Sequence, residues 1–161
     1  MLTWDERIDA VWRDGSLTDL ERIERIDALA AERGDDARAL FERAGARDSA
    51  GVETEGEPLY RQALAAGLDD EHRTQAVIQL ASTLRNLGRT EEALGMLRAE
   101  YERGPSAPLH DAAAAFYVLA LVSGGDAVAA ASIALKALAP HLPRYSRSVA
   151  AYANDLLRDR D

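Results

Sequence analysis

The residues in this 161-residue sequence that could do chemistry are three histidines, one Ser-Gly-Gly turn, several acidic clusters and a stripe of uncharged polar side chains. His72, His110 and His141 stand singly near expected helix starts or loops. None has the H-E-x-x-H or H-x-x-E-H spacing that sets two metal ligands on one helical face. Ser123-Gly124-Gly125 is glycine-rich and lies at a helix junction, but it lacks the Lys and Ser/Thr that a phosphate-binding loop needs. Asp69-Asp70-Glu71 and the acids between Glu53 and Glu57 fall at helix starts, where a negative charge interacts favourably with the helix dipole. No EF-hand spacing and no cysteine is present, so the sequence predicts no catalytic residue, no metal site and no cofactor. The remaining chemistry is recognition. Gln75, Gln79, Ser82 and Asn86 lie at i, i+4, i+7 and i+11, on one helical face; such side chains can donate to and accept from a peptide backbone, or simply supply the wet face that a helix in an array needs.

Composition constrains what can position these groups. Ala, Leu, Glu and Arg dominate, aromatics are sparse, and only Pro58, Pro105, Pro108, Pro140 and Pro143 interrupt. An all-α chain is expected. The net charge of -9 disfavours capture of nucleic-acid phosphates and docking on anionic membrane. Absence of cysteine fits a reducing compartment, and the charged stretch MLTWDERIDAVWRDG has no signal-peptide core, so a cytoplasmic protein is expected. With Lys136 as the sole lysine beside abundant Arg and Ala, the composition suggests a bacterial, GC-rich source.

Three glycines, Gly51, Gly88 and Gly125, recur at a period of 37 residues, each flanked by two amphipathic segments, so each unit reads as a helical hairpin. The middle unit places Val77, Leu80-Ala81, Leu84, Gly88, Ala93, Leu97 and Pro105 in the order of the tetratricopeptide repeat, which it resembles. In the third unit Ala114, Tyr117-Val118, Leu121, Gly125, Ala130, Ala134 and Leu142 take those places. In the first unit Leu40, Ala44, Gly51, Gly56, Tyr60 and Leu68 do so. The phrases DSAG, PLYRQALAAGLD and IQLASTLRNLGR are similar to the bacterial tetratrico peptide repeat group 5 domain. The resemblance implies an all-α, right-handed α-solenoid of antiparallel helical hairpins with about nine helices. It would be one domain over 1–161: a degenerate N-terminal hairpin at 1–33, repeats at 37–69, 74–106 and 111–142, and a capping helix at 145–159.

Within that scheme Arg43 and Arg47 stand where the pattern wants Leu and an aromatic, which suggests a first unit that is rotated or partly open there. Thr54 with Glu57, and Thr18 with Glu21, read as capping boxes, which would place Gly56 and Pro58 harmlessly in a first turn. Thr90 reads as a cap. Trp4, Ile8 and Val11 form the inner stripe of the first helix, and Val149, Tyr152, Ala153 and Leu156 that of the last. Ala112 to Val122 is apolar throughout, too short to span a bilayer, and reads as a helix buried on all sides.

The resemblance further implies that the first helices of successive hairpins line a concave groove holding a peptide or a partner helix. Gln75, Ile78, Gln79, Ser82, Arg85 and Asn86 would line it in the middle unit. Arg38, Phe41, Glu42, Gly45 and Asp48 would do so in the first, and Ala112, Ala115, Phe116, Leu119 and Ser123 in the third. Partner binding is assigned to Gln75, Gln79, Ser82, Arg85, Asn86, Phe116 and Leu119. The two-carboxylate clamp of chaperone-binding relatives needs Lys, Asn and Arg at fixed groove places, and that set is absent, so acidic chaperone tails are not expected. Two further readings stand beside it: a homodimer formed through the apolar third unit and the C-terminal helix, and a small enzyme or ligand carrier.

Overall fold

The computed structural model describes residues 1–158, which form nine α-helices and no strand. They are α1 (Trp4–Arg13), α2 (Asp19–Ala31), α3 (Ala37–Ser49), α4 (Glu53–Ala66), α5 (Asp70–Asn86), α6 (Thr90–Tyr101), α7 (His110–Ser123), α8 (Ala127–Leu138) and α9 (Ser146–Arg158). A short 3-10 turn, Ala139–His141, follows α8. The chain divides into two compact units, one ending at Thr83 and the other starting at Leu84.

The 37-residue period marks one repeated piece of backbone geometry. At Gly51 the glycine N–H bonds the Asp48 carbonyl (3.0 Å), and the next residue, Val52, bonds back to Arg47 (2.9 Å). Gly88 and Arg89 repeat this on Arg85 (3.0 Å) and Leu84 (2.8 Å), and Gly125 and Asp126 on Val122 (3.0 Å) and Leu121 (2.9 Å). Each is a Schellman motif, which satisfies the last carbonyls of the helix and requires the left-handed conformation that all three glycines adopt, with φ of 73, 80 and 86°. A glycine there costs little, whereas a side chain would be strained.

That turn also corrects two expected caps. The motif hands the chain to the next helix within two residues, so Val52, Arg89 and Asp126 fall at the N-cap. Thr54 therefore lies inside α4 and Thr90 is the first residue of α6, and neither helix has a side-chain cap. Only Asp126 has a suitable side chain, accepting from Ala129 N at 3.0 Å. Glu53, Glu55, Glu91 and Glu92 in the first turns of α4 and α6 compensate through the helix dipole. Thr18 and Glu21 do form the expected capping box, and Thr3 and Glu6 form another on α1.

Gly56 is consequently in the second turn of α4, not the first, and it is needed there for packing. A Cβ at Gly56 would sit 3.3 Å from the Ala44 carbonyl oxygen and 3.6 Å from the Asp48 amide nitrogen, so α3 and α4 cross with backbone against backbone. Pro58 lies further inside α4, on an exposed position. Gly95, by contrast, is exposed within α6, and a methyl added there would meet nothing within 4 Å. Gly95→Ala should therefore raise the stability by about 0.5–1 kcal/mol, the helix-propensity difference, whereas Gly56→Ala should not. Urea midpoints of the two variants check this.

In the first unit Ile8, Val11, Ile26 and Ala46 form a buried cluster, closed by Trp4, Trp12, Leu17, Ile23 and Leu29. The expected stripe on α1 is thus the packed one, and the Trp4 indole donates to the Leu29 carbonyl at 2.9 Å. Arg43 and Arg47 do not open the hairpin. Asp27 on α2 accepts both Arg47 Nη1 (3.0 Å) and Nη2 (2.8 Å), and Arg43 Nε at 3.3 Å. Burial works to raise the Asp27 carboxyl, but the hydrogen bonds and charges of Arg47 and Arg43 outweigh it and hold it below its ordinary value.

In the second unit α7 packs on α6 and α8, and α8 on α9, with the Ser132 hydroxyl donating to the Ala153 carbonyl at 2.7 Å. α9 starts at Ser146, because Tyr145 is in the left-handed region (φ 68°); the expected end at 159 lies outside the described residues. Of its expected inner stripe, Ala153 is buried and Val149 half-buried, but Tyr152 and Leu156 are exposed, so α9 buries a narrower face than its pattern implies. The expected all-round burial of Ala112 to Val122 is also overturned. Ala113, Ala114, Tyr117, Ala120 and Leu121 are buried, while Leu119 and Val122 keep 46 % and 56 % of their surface.

Candidate interaction surface

α5 carries the polar stripe. Its inner positions Ala76, Leu80, Ala81, Thr83 and Leu84 are essentially without solvent exposure, and they require that face to point inward. The 3.6-residue period then sets Gln75, Gln79, Ser82 and Arg85 at half-buried places and Asn86 in solvent. Ile78, read as groove-lining, is buried at 5 % exposure and belongs to the packing. At the helix start Asp69 accepts the His72 amide (3.1 Å) and meets its Nδ1 at 2.5 Å. The backbone bond from His72 outweighs the opposing effect of burial and, with the His72 side-chain bond and the nearby charges of His72 and Arg38, holds the Asp69 carboxyl below its usual range. His72 thereby serves the helix start, and its ring meets Phe41 edge-on at 5.8 Å.

One atom in the stripe stands out. Gln79 Oε1 is buried and has no hydrogen-bond partner. Its neighbour one turn on, Thr83, does have partners: its hydroxyl lies 3.0 Å from both the Gln79 carbonyl and Asp48 Oδ1 and can give its one proton to either. Asp48 also accepts from the Tyr60 hydroxyl at 3.2 Å. Burial lifts the Asp48 carboxyl above its ordinary value against those two hydroxyls, which lower it, and burial likewise pushes the Tyr60 phenol up.

The first repeat's expected lining is not free. Phe41 and Glu42 are 6 % and 5 % exposed. Glu42 accepts the Trp12 indole N–H at 2.6 Å and pairs with Arg38 at 2.6 Å. Gly45 lies against the Trp12 ring, where a Cβ would be 3.4 Å from Cζ2. Helix α1 therefore occupies this face, and Asp48 is engaged by Tyr60 and Thr83. The signal was Trp12, one residue outside the stripe of Trp4, Ile8 and Val11. In α7, Ala115, Leu119 and Ser123 are exposed and Ala112 and Phe116 half-buried, so the apolar assignment of Phe116 and Leu119 lies on accessible side chains.

The other two histidines, His110 and His141, line one pocket together with Asp111. His110 stacks on Tyr101 (centroids 5.1 Å apart), with its Nδ1 buried, and His141 Nε2 lies 3.1 Å from Asp111. Among the described residues no group of three or more His, Cys, Asp or Glu side chains is placed to hold a metal ion. No described helix is long and apolar enough to cross a membrane.

A family model described as tetratrico peptide repeat matches residues 37–156. No curated protein and no solved structure matches the chain.

Proposed function

Because the chain belongs to the tetratrico peptide repeat family, whose repeats generally mediate protein–protein interaction, we propose that it is a non-catalytic scaffold that holds a peptide or partner helix against α5. Residues 1–161 are read as a helical-repeat chain; on α5, Gln75, Gln79, Ser82, Arg85 and Asn86 are assigned to hydrogen-bond a partner, and on α7, Phe116 and Leu119 are separately assigned to apolar contact.

The orphaned Gln79 Oε1 carries this reading. A buried acceptor without a donor costs about 1–3 kcal/mol, and a rotation of the half-buried Gln79 side chain that turned this oxygen outward would let a backbone N–H of a bound chain recover that loss. The net charge of -9 weighs against nucleic acid as the partner, and the lack of cysteine supports a reducing, cytoplasmic setting.

Replacing Gln79 and Asn86 together with Ala should not lower the thermal midpoint and should raise it to the extent that the orphaned Gln79 acceptor is removed, because neither side chain holds the core. Capture of the partner from the source cell, read by mass spectrometry, should weaken about tenfold or more. Unfolding of the variant, or undiminished capture, would remove the α5 reading. Homo-oligomerisation is the second reading, favoured by the exposure of Leu119 and Val122.

A further inference from the structure

We propose that the exposed face at the start of α9 docks a short acidic segment of a partner protein. This rests on reading the chain as an interaction module, but it concerns a cationic face and not the polar stripe of α5.

The acids of this chain are unevenly spread. It has 28 Asp and Glu residues, yet none falls between Ala127 and Asn154, where Lys136, Arg144 and Arg147 carry the charge. The fold keeps that face clear of carboxylates. α9 packs on α8 and on the 3-10 turn Ala139–His141, and neither contains an acid. Asp111 reaches the turn, where it meets His141 at 3.1 Å, and Asp155 lies about two turns further along α9. Arg144 and Arg147 are both exposed, and among the described residues neither pairs with a carboxylate.

Folding does not call for these arginines. Arg147 stands in the first turn of α9, where a cation opposes the helix dipole, whereas Arg22, Arg38, Arg47 and Arg103 each answer a carboxylate. A negative group brought from outside would relieve that opposition. Arg144, Tyr145 and Arg147, with Pro143, Ser146 and Ser148, wall an open hollow of about 360 Å³, room enough for an acidic side chain. Tyr152 stands one turn beyond Ser148, and Tyr145 and Tyr152 keep 75 % and 68 % of their surface. Two open rings beside the cations supply contact area at a small entropic cost.

Charge and size together select the occupant. Screening confines the reach of a charge to about 10 Å at 0.1 M salt, so a short segment senses the arginines and not the whole chain. Nucleic acid, an anionic membrane or a second copy would bring extended negative surface against the net charge of -9. Inorganic phosphate would leave the tyrosines unused. The face is also distinct from the expected groove, whose places lie on α3, α5 and α7.

Fluorescence anisotropy of a short labelled peptide of Glu and Gly, interrupted by isolated Leu residues, tests it on the full chain. Binding is expected at low salt and should weaken as salt rises. Arg144→Glu with Arg147→Glu should weaken it by about tenfold or more, with a thermal melt unchanged or higher, since both side chains are exposed and an acid suits a helix start. Arg144→Gln with Arg147→Gln should act in the same direction without adding repulsion. Arg13→Glu with Arg25→Glu makes an equal change of net charge in the first unit and should leave binding within about twofold. Tyr152→Ala should weaken it by about threefold.

No binding at low salt overturns the proposal, as does binding that both Arg144 and Arg147 variants leave intact. Inorganic phosphate or duplex DNA bound as tightly as the peptide overturns it too, and so does self-association of the chain that Arg144→Glu with Arg147→Glu abolishes. Peptide binding lost in Gln79→Ala with Asn86→Ala, but kept in the arginine variants, removes the α9 face and leaves the α5 reading standing. Binding lost in the arginine variants, in a chain whose partner capture ignores Gln79 and Asn86, supports the α9 face while the α5 reading falls.

Discussion

Replacing Asp27 with Ala is expected to destabilise the first unit by about 2–3 kcal/mol, because it strands a guanidinium rather than merely deleting an ion pair. Arg47 keeps only 13 % of its side-chain surface, and two of its nitrogens end on the Asp27 carboxylate. Without that acceptor the guanidinium keeps only the Arg43 carbonyl at 3.2 Å and the exposed Glu55 carboxylate at 3.5 Å, so its charge is poorly compensated and the contact between α2 and α3 is weakened. The figure is set below the value for a fully buried pair because Asp27 itself is 35 % exposed. Arg47→Leu should cost far less, since it restores the apolar residue type the repeat expects and leaves behind a partly solvated carboxylate that Arg43 still meets.

The pH dependence follows the same pair. The folded Asp27 carboxyl lies below its ordinary value near 3.8, so the unfolded chain binds its proton first on acidification. Its contribution is present above that ordinary value and is lost as pH falls through the lower folded one. Denaturant midpoints taken downward from about pH 6 should show this acid-induced loss in the wild type and a smaller one in Asp27→Ala. Equal slopes would show that the pair contributes nothing.

Tyr60→Ala should have the largest effect of any single truncation considered, about 3–5 kcal/mol. The ring has no solvent exposure, stands 6.2 Å from Phe41, and carries its hydroxyl to within 3.9 Å of where a Cβ on Gly45 would lie. Removing it opens a cavity and also takes away one of the two hydroxyls on Asp48. Tyr60→Phe separates the contributions. It keeps the ring and loses only the hydrogen bond, so about 1 kcal/mol is expected. Urea unfolding with an unchanged m-value reads both variants, and similar losses in the two would show that the Asp48 network, not packing, holds this corner.

The repeat architecture was legible because it is written in local terms. Gly51, Gly88 and Gly125 each occupy a backbone conformation that favours glycine, and the buried positions follow the helical period around them. What misled were features whose meaning depends on where a helix begins. Thr54-x-x-Glu57 has the same spacing as the working boxes at Thr3 and Thr18, but the Schellman turn before it had already started α4 at Glu53. Arg43 and Arg47 read as faults in the pattern because the carboxylate that answers them, Asp27, stands on another helix.

The candidate surfaces divide in the same way. From the sequence it could be seen that α5 has an uncharged polar stripe and that Ala112 to Val122 is apolar. Only the packing decided that Trp12 closes the face of the first repeat, that Gln79 Oε1 is left without a donor, and that Leu119 and Val122 are exposed. Helical period and turn geometry act over a few residues, so the chain alone determined the helices, the glycine turns between them and the inner faces of α1 and α5, but not how wide a face α7 and α9 bury. Which outer faces stay open depends on groups distant in sequence coming together, such as Trp12 on Glu42 or Asp27 on Arg47, and that is settled by the tertiary structure.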